Sequence, residues 1–378
     1  MCSEILGIGL SGKSLTDLER RILAETTPYA VVLFGRNIAS EEQLCDLVRE
    51  VKAISKRPPL IMIDEEGGRV DRLRHIIPGL PSVEAFAEGE KPAKMSEWLG
   101  KVIGMALRYF DIEIDLAPVV DISGEHAPKG LERRTFGKDP ETVVDLAGAF
   151  MRGLHEQGVA SCLKHWPGIG AGSADPHYGA TIIDASLEEL MQRDLIPFIR
   201  LGAAAGAIMI GHGTYPQIDD PDVPATLSRR LTADLLRQIG FDGVVISDDM
   251  EMHAVSDLGS YEAIAERALT AGNDVVLFCS HIERVPDIQE FLRRRVDEDP
   301  AMHARFEDAH ARAEGYRTHC ATLRAQGAPP VASFDELLDE ADRFCDEFAK
   351  TRPAREVLVP DVERRKNPRS RSGREEWT

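Results

Sequence analysis

An eightfold alternation of short apolar runs with longer amphipathic stretches is the feature that most constrains the fold. The amphipathic stretches place apolar residues at helical spacing, whereas each apolar run is short enough for a buried strand. The apolar runs are residues 5–10, 30–34, 60–63, 112–120, 159–163, 207–210, 243–246 and 274–278. Parallel strands joined by helices give this order, so the sequence predicts an α/β fold, a closed (β/α)8 TIM-type barrel with a C-terminal helical extension.

Local signals mark where several helices begin and end. Ser40 is placed as an N-cap with Gln43 three residues later, which predicts a capping box. Asp139 and Pro140 predict the start of a helix that runs to about Gln157. Glycine ends the helices that precede the last three strands, at Gly206, Gly240 and Gly272.

A doubly wound open sheet uses the same alternation and is the competing architecture. Its glycine-rich turn would be Gly7-Ile8-Gly9-Leu10-Ser11-Gly12, but these glycines begin inside the first strand. No acidic residue ends the second strand, where a dinucleotide site needs one for a ribose hydroxyl. The barrel is favoured because polar side chains end six strands, and a barrel gathers strand ends on one face. These residues are Arg36-Asn37, Asp64-Glu65-Glu66, Asp121, Lys164-His165, His212 and Ser247-Asp248-Asp249.

Composition narrows the class of partner and the cellular location. The chain has 378 residues, 43% of them hydrophobic, and a formal net charge of -19, so nucleic acid is not an expected partner. Six scattered cysteines without a Cys-x-x-Cys pair predict reduced thiols. The first residues lack the pattern of a signal peptide, and no run approaches the roughly 20 apolar residues that span a bilayer. We therefore expect a cytoplasmic protein that does not bind membranes.

We expect a single domain to account for most of the chain. We expect the barrel to occupy residues 1–325, followed by a C-terminal helix within residues 326–352. The stretch 333–350 carries apolar residues at helical spacing, as an amphipathic helix requires. Residues 353–378 form a tail with a basic stretch rich in Ser, Pro and Gly, which predicts disorder. A monomer or a weak dimer is expected.

A polar segment follows the fifth apolar run. Lys164 and His165 stand where that run ends, and a stretch rich in Gly and Ala after them predicts a mobile loop. Asp175 and His177 lie at the far end of this loop. In an extended segment residues i and i+2 point the same way, so Asp175 can hold the His177 imidazole and raise its basicity. A general acid/base needs this arrangement, although a solvated loop with a chance Asp-x-His has the same spacing.

A pair of carboxylates follows the seventh apolar run. Adjacent strand residues point to opposite sides, so only one of Asp248 and Asp249 can face a pocket at the strand ends. Both could instead cap the next helix. A further hypothesis is a metal site formed by these carboxylates with His212 or His253, but no ligand spacing supports it.

A carboxylate that faces an imidazole–carboxylate pair across a polar pocket suits glycosyl transfer with retention. The carboxylate attacks the anomeric carbon, and the acid protonates the leaving oxygen and later activates water. Here the candidate acid is His177 rather than a second carboxylate. The spacing alone does not choose this chemistry over other acid/base reactions.

Six motifs follow one another in a fixed order along the chain. They are Leu33-Phe34-Gly35-Arg36-Asn37, Ile63-Asp64-Glu65-Glu66-Gly67-Gly68-Arg69-Val70-Asp71-Arg72, Asp115-Leu116-Ala117-Pro118-Val119-Val120-Asp121, Arg133-Arg134-Thr135-Phe136-Gly137, Lys164-His165-Trp166-Pro167-Gly168 with Asp175-Pro176-His177, and Gly240-Phe241-Asp242-Gly243-Val244-Val245-Ile246-Ser247-Asp248-Asp249. In this order the motifs resemble glycoside hydrolase family 3, and among its members the single-domain bacterial β-N-acetylglucosaminidases of cell-wall recycling. The resemblance covers roughly residues 5–280.

The resemblance implies a role for each matched residue. Asp248 matches the nucleophile, and His177 matches the acid/base with Asp175 as its partner. Five residues match positions that bind the non-reducing N-acetylglucosamine: Asp64, Arg72, Arg134, Lys164 and His165. The family needs no cofactor and no metal. The implied activity is that of a retaining exo-β-N-acetylglucosaminidase that releases N-acetylglucosamine from peptidoglycan-derived, muropeptide-type fragments.

Two alternatives stay open at this point, and three residues depart from the family pattern. A phosphorylase would resolve the same covalent intermediate with phosphate, and a catalytically impaired barrel would only bind sugar. Ile169 stands where a second His is usual, Pro176 where Ser is usual, and Glu65 where Gln is common. Because Pro176 fixes a backbone angle between the dyad members, it bears on the contact between Asp175 and His177.

Overall fold

The computed structural model describes residues 2–124, 127–174 and 181–351, and its strands form a closed parallel barrel. The strands are β1 (Leu6–Gly9), β2 (Ala30–Leu33), β3 (Leu60–Ile63), β4 (Ile114–Asp115), β5 (Ala160–Ser161), β6 (Leu163–Trp166), β7 (Ser173–Ala174), β8 (Thr181–Ile182), β9 (Ala207–Ile210), β10 (Val244–Asp249) and β11 (Val275–Phe278). The main sheet has the order β5-β4-β3-β2-β1-β11-β10-β9-β6. Its first and last members are separated in the chain by Cys162 alone, so the sheet closes on itself. The predicted barrel is confirmed, with its fifth strand interrupted at Cys162.

The barrel interior follows from the alternation of side chains along each strand. Alternate residues of β2, β3, β4, β9, β10 and β11, with Ala160 of β5 and the following Cys162, form one buried cluster, which includes Val32, Met62, Met209 and Ile246. Their neighbours in sequence face outward and join the second cluster, between the sheet and the helices. The strands are therefore apolar on both faces, as parallel strands covered by helices must be.

The helices of the described ranges cover the outside of the barrel. They are α1 (Asp17–Thr26), α2 (Glu41–Ile54), α3 (Pro92–Tyr109), α4 (Pro140–Glu156), α5 (Leu187–Gln192), α6 (Ile196–Ala205), α7 (Leu235–Gln238), α8 (His253–Ser256), α9 (Tyr261–Ala271), α10 (Val285–Glu298), α11 (Pro300–Gln326) and α12 (Phe334–Lys350). None of them is long and apolar enough to cross a membrane. Asp139 caps α4 by accepting a hydrogen bond from the Thr142 amide, as predicted.

The long helix α11 closes the N-terminal end of the barrel. Ala313 and Tyr316 pack with the interior side chains of the strands. The Tyr29 hydroxyl donates to the Ala313 carbonyl at 2.8 Å, and the Tyr316 hydroxyl donates to the Ser161 carbonyl at 2.7 Å. With this end filled, the open end of the barrel is the one where the strands finish.

The last helix, α12, packs on α3 through a row of aromatic rings. Trp98 of α3 contacts Phe344 edge-on at 5.6 Å between ring centroids, and its Nε1 donates to the buried Glu340 carboxylate at 2.9 Å. Phe86 contacts Phe348 in the same edge-on manner at 5.1 Å. The helical prediction for residues 333–350 is thus met by α12, while the domain boundaries stay predictions and residues 353–378 lie outside the described residues.

Three local predictions are corrected. The fourth strand is shorter than residues 112–120, because Pro118 has no amide hydrogen for the ladder and only Val119 pairs again, with Lys164. The fifth strand extends to Trp166, so Lys164 and His165 lie within β6 rather than beyond its end. The Ser40 hydroxyl does cap α2, but the Gln43 side chain accepts from the Ala39 amide instead of closing a capping box.

Candidate functional site

Three charged side chains continue the inward-facing rows of the barrel at its C-terminal end. The residues two positions before them pack in the barrel interior: Met62, Cys162 and Ile246. Because side chains alternate along a strand, Asp64, Lys164 and Asp248 point the same way. Burial raises the pKa of the interior Cys162 thiol, and the charges of all three residues act on that thiol. These three side chains therefore converge above the barrel interior.

Lys164 lies at the centre of a buried network of opposite charges. Its Nζ donates to Asp64 Oδ1 at 2.6 Å and pairs with Glu66 Oε1 at 2.7 Å. The guanidinium of Arg134 binds both oxygens of Glu66, at 2.7 and 2.8 Å. Arg72 approaches the second oxygen of Asp64 at 3.8 Å. The structure thus brings together four of the five residues that the resemblance assigns to sugar binding, and Glu66 is a partner of two of them, Lys164 and Arg134.

The charges in this network stabilise one another. Burial alone favours neutral Glu66, but the cations Lys164 and Arg134 outweigh it and lower the pKa of Glu66 to about 2. Burial likewise opposes the charge on Lys164, yet Asp64 and Glu66 raise the pKa of its ammonium group above its usual value. The network therefore presents fixed donors and acceptors to a ligand, without water having to reorganise around them.

His165, the fifth of these residues, is fixed by a different carboxylate. Asp121 Oδ2 lies 2.7 Å from His165 Nδ1 and also accepts from the His165 amide at 3.1 Å. Its other oxygen accepts from the Ile169 amide at 2.7 Å. Since the carboxylate occupies Nδ1, it sets the ring orientation and leaves Nε2 for a ligand.

Of the two adjacent aspartates, it is Asp248 that faces this site. Burial opposes its ionisation, but the imidazoles of His212 and His165 and the ammonium of Lys164 lower the pKa of Asp248 below its ordinary value. Asp249 instead binds the turn that follows, because its Oδ1 accepts from the amides of Glu251 and Cys279. Asp248 is thus an ionised carboxylate, held at one edge of the site.

The predicted dyad lies outside the described residues. These include neither Asp175 nor His177, and Pro176 is absent from them as well. The strands that flank this segment, β7 and β8, pair in antiparallel fashion. The segment predicted as a loop after Lys164 and His165 therefore includes a short strand. Among the described residues, no group of three or more His, Cys, Asp or Glu side chains has an arrangement that could hold a metal ion.

Three residues of the site, namely Glu66, Asp121 and His212, were assigned no role in sugar binding or catalysis from the sequence. Each belongs to one of the polar clusters at the strand ends, so the signal was present in the sequence. Their partners are distant in the chain, however: Glu66 and Arg134 are 68 positions apart, and Asp121 and His165 are 44 apart. Pairing over such separations is set by the closed barrel and cannot be derived from spacing.

We expect Glu66→Gln to weaken sugar binding more than it slows turnover. The amide keeps the shape of Glu66 but turns an N–H group towards Lys164 or Arg134, which then lose their charge-assisted hydrogen bond. Such bonds contribute about 1.5–3 kcal/mol each, so the inhibition constant for N-acetylglucosamine should rise about tenfold to a hundredfold. Glu97→Gln, which removes an exposed pair with Arg152, serves as the control. An unchanged inhibition constant for Glu66→Gln would contradict the assigned role.

Glu65 and Asp71 are two buried carboxyl groups in the segment that follows β3. Glu65 Oε2 accepts from the amides of Arg72 and Leu73, and Asp71 Oδ2 accepts from the Leu80 amide. The other oxygen of each carboxyl has no hydrogen-bond partner among the described residues. Burial, then the charges of Asp71 and Asp115, raise the pKa of Glu65 well above its usual value, and burial raises the pKa of Asp71 to about 6. We therefore expect Glu65 to keep its proton at neutral pH.

This pair predicts a pH dependence of stability that Glu65→Gln should remove. In the folded state Glu65 holds a proton that the unfolded state releases above pH of about 4.5. The free energy of unfolding of the wild-type protein therefore falls as pH rises from there towards the raised pKa of Glu65. We expect the free energy of unfolding of Glu65→Gln, relative to wild type, to increase with pH by up to about 1.4 kcal/mol per unit. Urea unfolding between pH 5 and 8 measures the difference. Parallel curves for the two proteins would contradict a protonated Glu65, and Glu132→Gln, at an exposed position, is the control.

Comparisons with known proteins show the family of the chain. Residues 9–314 match the model of the glycosyl hydrolase family 3 N-terminal domain. A beta-hexosaminidase of Stenotrophomonas maltophilia is 38% identical over 299 residues, which are 77% of this chain and 88% of that protein.

Two solved structures extend the comparison to the fold. A family 3 β-N-acetylglucosaminidase from a Paenibacillus species superposes with a TM-score of 0.80 at 28% identity, covering 92% of this chain and 68% of that one. NagZ from Neisseria gonorrhoeae, solved with N-trifluoroacetyl-D-glucosamine, has a TM-score of 0.70 at 28% identity, covering 86% and 98%. The protein is a glycoside hydrolase, and its chain belongs to glycoside hydrolase family 3.

Proposed function

We propose that this hydrolase is a retaining exo-β-N-acetylglucosaminidase with Asp248 as its nucleophile. The observation that supports it most directly is the position of Asp248, which continues an inward-facing row of the barrel beside the buried network of Lys164 and Asp64. The curated relative is named a beta-hexosaminidase, and the Neisseria protein was solved with an N-acylated glucosamine. Both names fit a sugar that carries an N-acyl group.

The first step forms a bond between Asp248 and the anomeric carbon. An oxygen of Asp248 attacks the anomeric carbon while the bond between this carbon and the leaving oxygen breaks. His177 donates a proton to the leaving oxygen. The second step reverses these roles. His177, now neutral, takes a proton from water, whose oxygen displaces Asp248 from the anomeric carbon. Two inversions return the sugar with its original β configuration.

The buried network provides recognition of the non-reducing sugar. Asp64 can accept hydrogen bonds from two sugar hydroxyls, while Lys164 and Arg134 donate hydrogen bonds in a site that excludes most water. Lys164 is almost wholly buried, with 1% of its side chain exposed, so its position is fixed before the substrate arrives. Binding energy from these contacts orients the anomeric carbon towards Asp248.

We further propose that the substrates are peptidoglycan-derived fragments that end in N-acetylglucosamine, and that the reaction takes place in the cytoplasm. The proposal rests on the family resemblance and on the composition of the chain. Its test is product analysis with a GlcNAc-terminated disaccharide from peptidoglycan. N-Acetylglucosamine should be released in any buffer, whereas accumulation of the sugar 1-phosphate in phosphate buffer would overturn the hydrolase proposal.

The stereochemistry of release tests the retaining mechanism separately. With an aryl N-acetyl-β-glucosaminide as substrate, proton NMR should detect β-N-acetylglucosamine first, and the α-anomer only after mutarotation. Initial release of the α-anomer would mean direct attack by water, and Asp248 could not be a nucleophile.

A further inference from the structure

We propose that His212 is a positioning residue for the nucleophile: its imidazole fixes the backbone beside Asp248 and supplies an adjacent polar group that favours the attacking carboxylate. The inference rests on the proposed function, because it takes Asp248 as the nucleophile. His212 follows β9 and lies in the buried part of the site, with 6% of its surface exposed.

Both ring nitrogens of His212 are engaged. Nε2 lies 2.9 Å from the carbonyl oxygen of Asp249, and Nδ1 lies 2.6 Å from Thr226 Oγ1. The Thr226 hydroxyl in turn donates to the Gly211 carbonyl at 2.9 Å. Through these contacts the imidazole joins the chain after β9 to the residue that follows Asp248.

The contact between His212 and Asp249 lies where the strand pairing around Asp248 is irregular. The pairing of β9 with β10 ends where Ile210 meets Ser247, one residue before Asp248. On its other side, β10 has an irregular register with β11 between Ile246 and Asp249. The backbone around Asp248 therefore lacks a regular ladder on either edge. His212, two residues after Ile210, holds it from the β9 side.

The proton positions follow from the partners. A carbonyl oxygen only accepts, so Nε2 of His212 carries a hydrogen that it donates to Asp249. The Thr226 hydroxyl lies within hydrogen-bond distance of both Nδ1 and the Gly211 carbonyl oxygen. In a neutral ring with its hydrogen on Nε2, Nδ1 is an acceptor, so the hydrogen bond to the Asp249 carbonyl is kept whichever of these two contacts the hydroxyl makes.

The other charged and titratable groups near the nucleophile are few among the described residues. His165 and Lys164 approach it from β6, and the thiols of Cys162 and Cys279 are affected by its charge. The adjacent Asp249 also titrates, because burial, with a smaller effect of the Asp248 charge, raises its pKa to about 6. Burial lowers the pKa of His212, and Asp248 counters that effect. His212 is the strongest of the side chains that lower the pKa of Asp248, so its removal should make this carboxyl easier to protonate.

The test compares His212→Ala and His212→Gln with wild type, using 2,4-dinitrophenyl N-acetyl-β-glucosaminide. The dinitrophenolate leaving group needs no proton, so kcat/KM for this substrate reports the attack by Asp248. We expect His212→Ala to slow the attack about a hundredfold, as the loss of one preorganised donor does. The acid limb of the kcat/KM profile should move to higher pH, while the inhibition constant for N-acetylglucosamine stays unchanged. His212→Gln keeps an N–H group for the Asp249 carbonyl and should recover much of the rate, but not the acid limb.

The control is His253→Ala, which changes an exposed histidine after β10, the strand that carries Asp248. A wild-type rate and acid limb in both His212 variants would overturn the inference, as would a slower rate with the acid limb unmoved and weaker binding of N-acetylglucosamine. Labelling of wild type with a fluorinated sugar tests the proposed function independently. A label on a residue other than Asp248 would overturn that function, and the inference with it, whatever the His212 variants do.

Discussion

Asp248→Asn is expected to lower kcat/KM for an aryl N-acetyl-β-glucosaminide by about 10⁴-fold or more, as loss of a nucleophile does in other covalent enzymes. An amide is neutral and does not attack an anomeric carbon, whereas the wild-type carboxylate is ionised among His212, His165 and Lys164. The change preserves the shape of the side chain. The inhibition constant for N-acetylglucosamine should therefore change far less than the rate.

The controls for this variant separate chemistry from folding. Asp257→Asn alters an exposed aspartate in the loop after the same strand and should keep wild-type activity. Melting temperatures of both variants should be close to that of wild type. Activity of Asp248→Asn within tenfold of wild type would mean that the attacking group lies elsewhere.

His177→Ala is expected to slow hydrolysis most for substrates whose leaving groups must be protonated. General acid catalysis contributes about 10²- to 10⁴-fold, so alkyl or sugar aglycones should lose that much. A dinitrophenyl glycoside should form the glycosyl-enzyme at nearly the wild-type rate and then stall, because no base activates water. Rates for a series of aryl N-acetyl-β-glucosaminides, plotted against the pKa of the leaving phenol, measure the effect.

Added azide sharpens this experiment. As a small anion that needs no general base, azide should attack the stalled glycosyl-enzyme of His177→Ala and yield the β-glycosyl azide. Asp175→Asn is the companion variant and should show the same trend more weakly. Equal slowing across the series, with no effect of azide, would remove the acid/base role from His177.

Much of the fold could be predicted because burial on both faces leaves a clear signal in the sequence. Runs such as residues 30–34 and 275–278 are apolar throughout, which is typical of parallel strands between a filled interior and covering helices. The alternation also predicted that only one of Asp248 and Asp249 faces the site. It did not reveal the break at Cys162, because the register of a barrel depends on closure.

The partners within the site could not be predicted in the same way. Sequence alone did not assign Glu66 to Lys164 and Arg134, or His212 to the carbonyl of Asp249, 37 positions away. Nor did it show that α11 would fill the N-terminal end of the barrel. Its buried residues, such as Phe306 and Tyr316, form an apolar stripe along the helix, and such a stripe does not indicate which surface the helix packs against.

The central claim is that Asp248 bonds covalently to the sugar, and a trapped intermediate tests it most directly. Wild-type enzyme would be incubated with a 5-fluoro N-acetylglucosaminyl fluoride, digested with trypsin and sequenced by mass spectrometry. We predict one sugar on the peptide spanning residues 238–267, with the fragment ions placing it on Asp248, and no label in Asp248→Asn. A label on any other residue, or a label that persists in Asp248→Asn, would contradict the account.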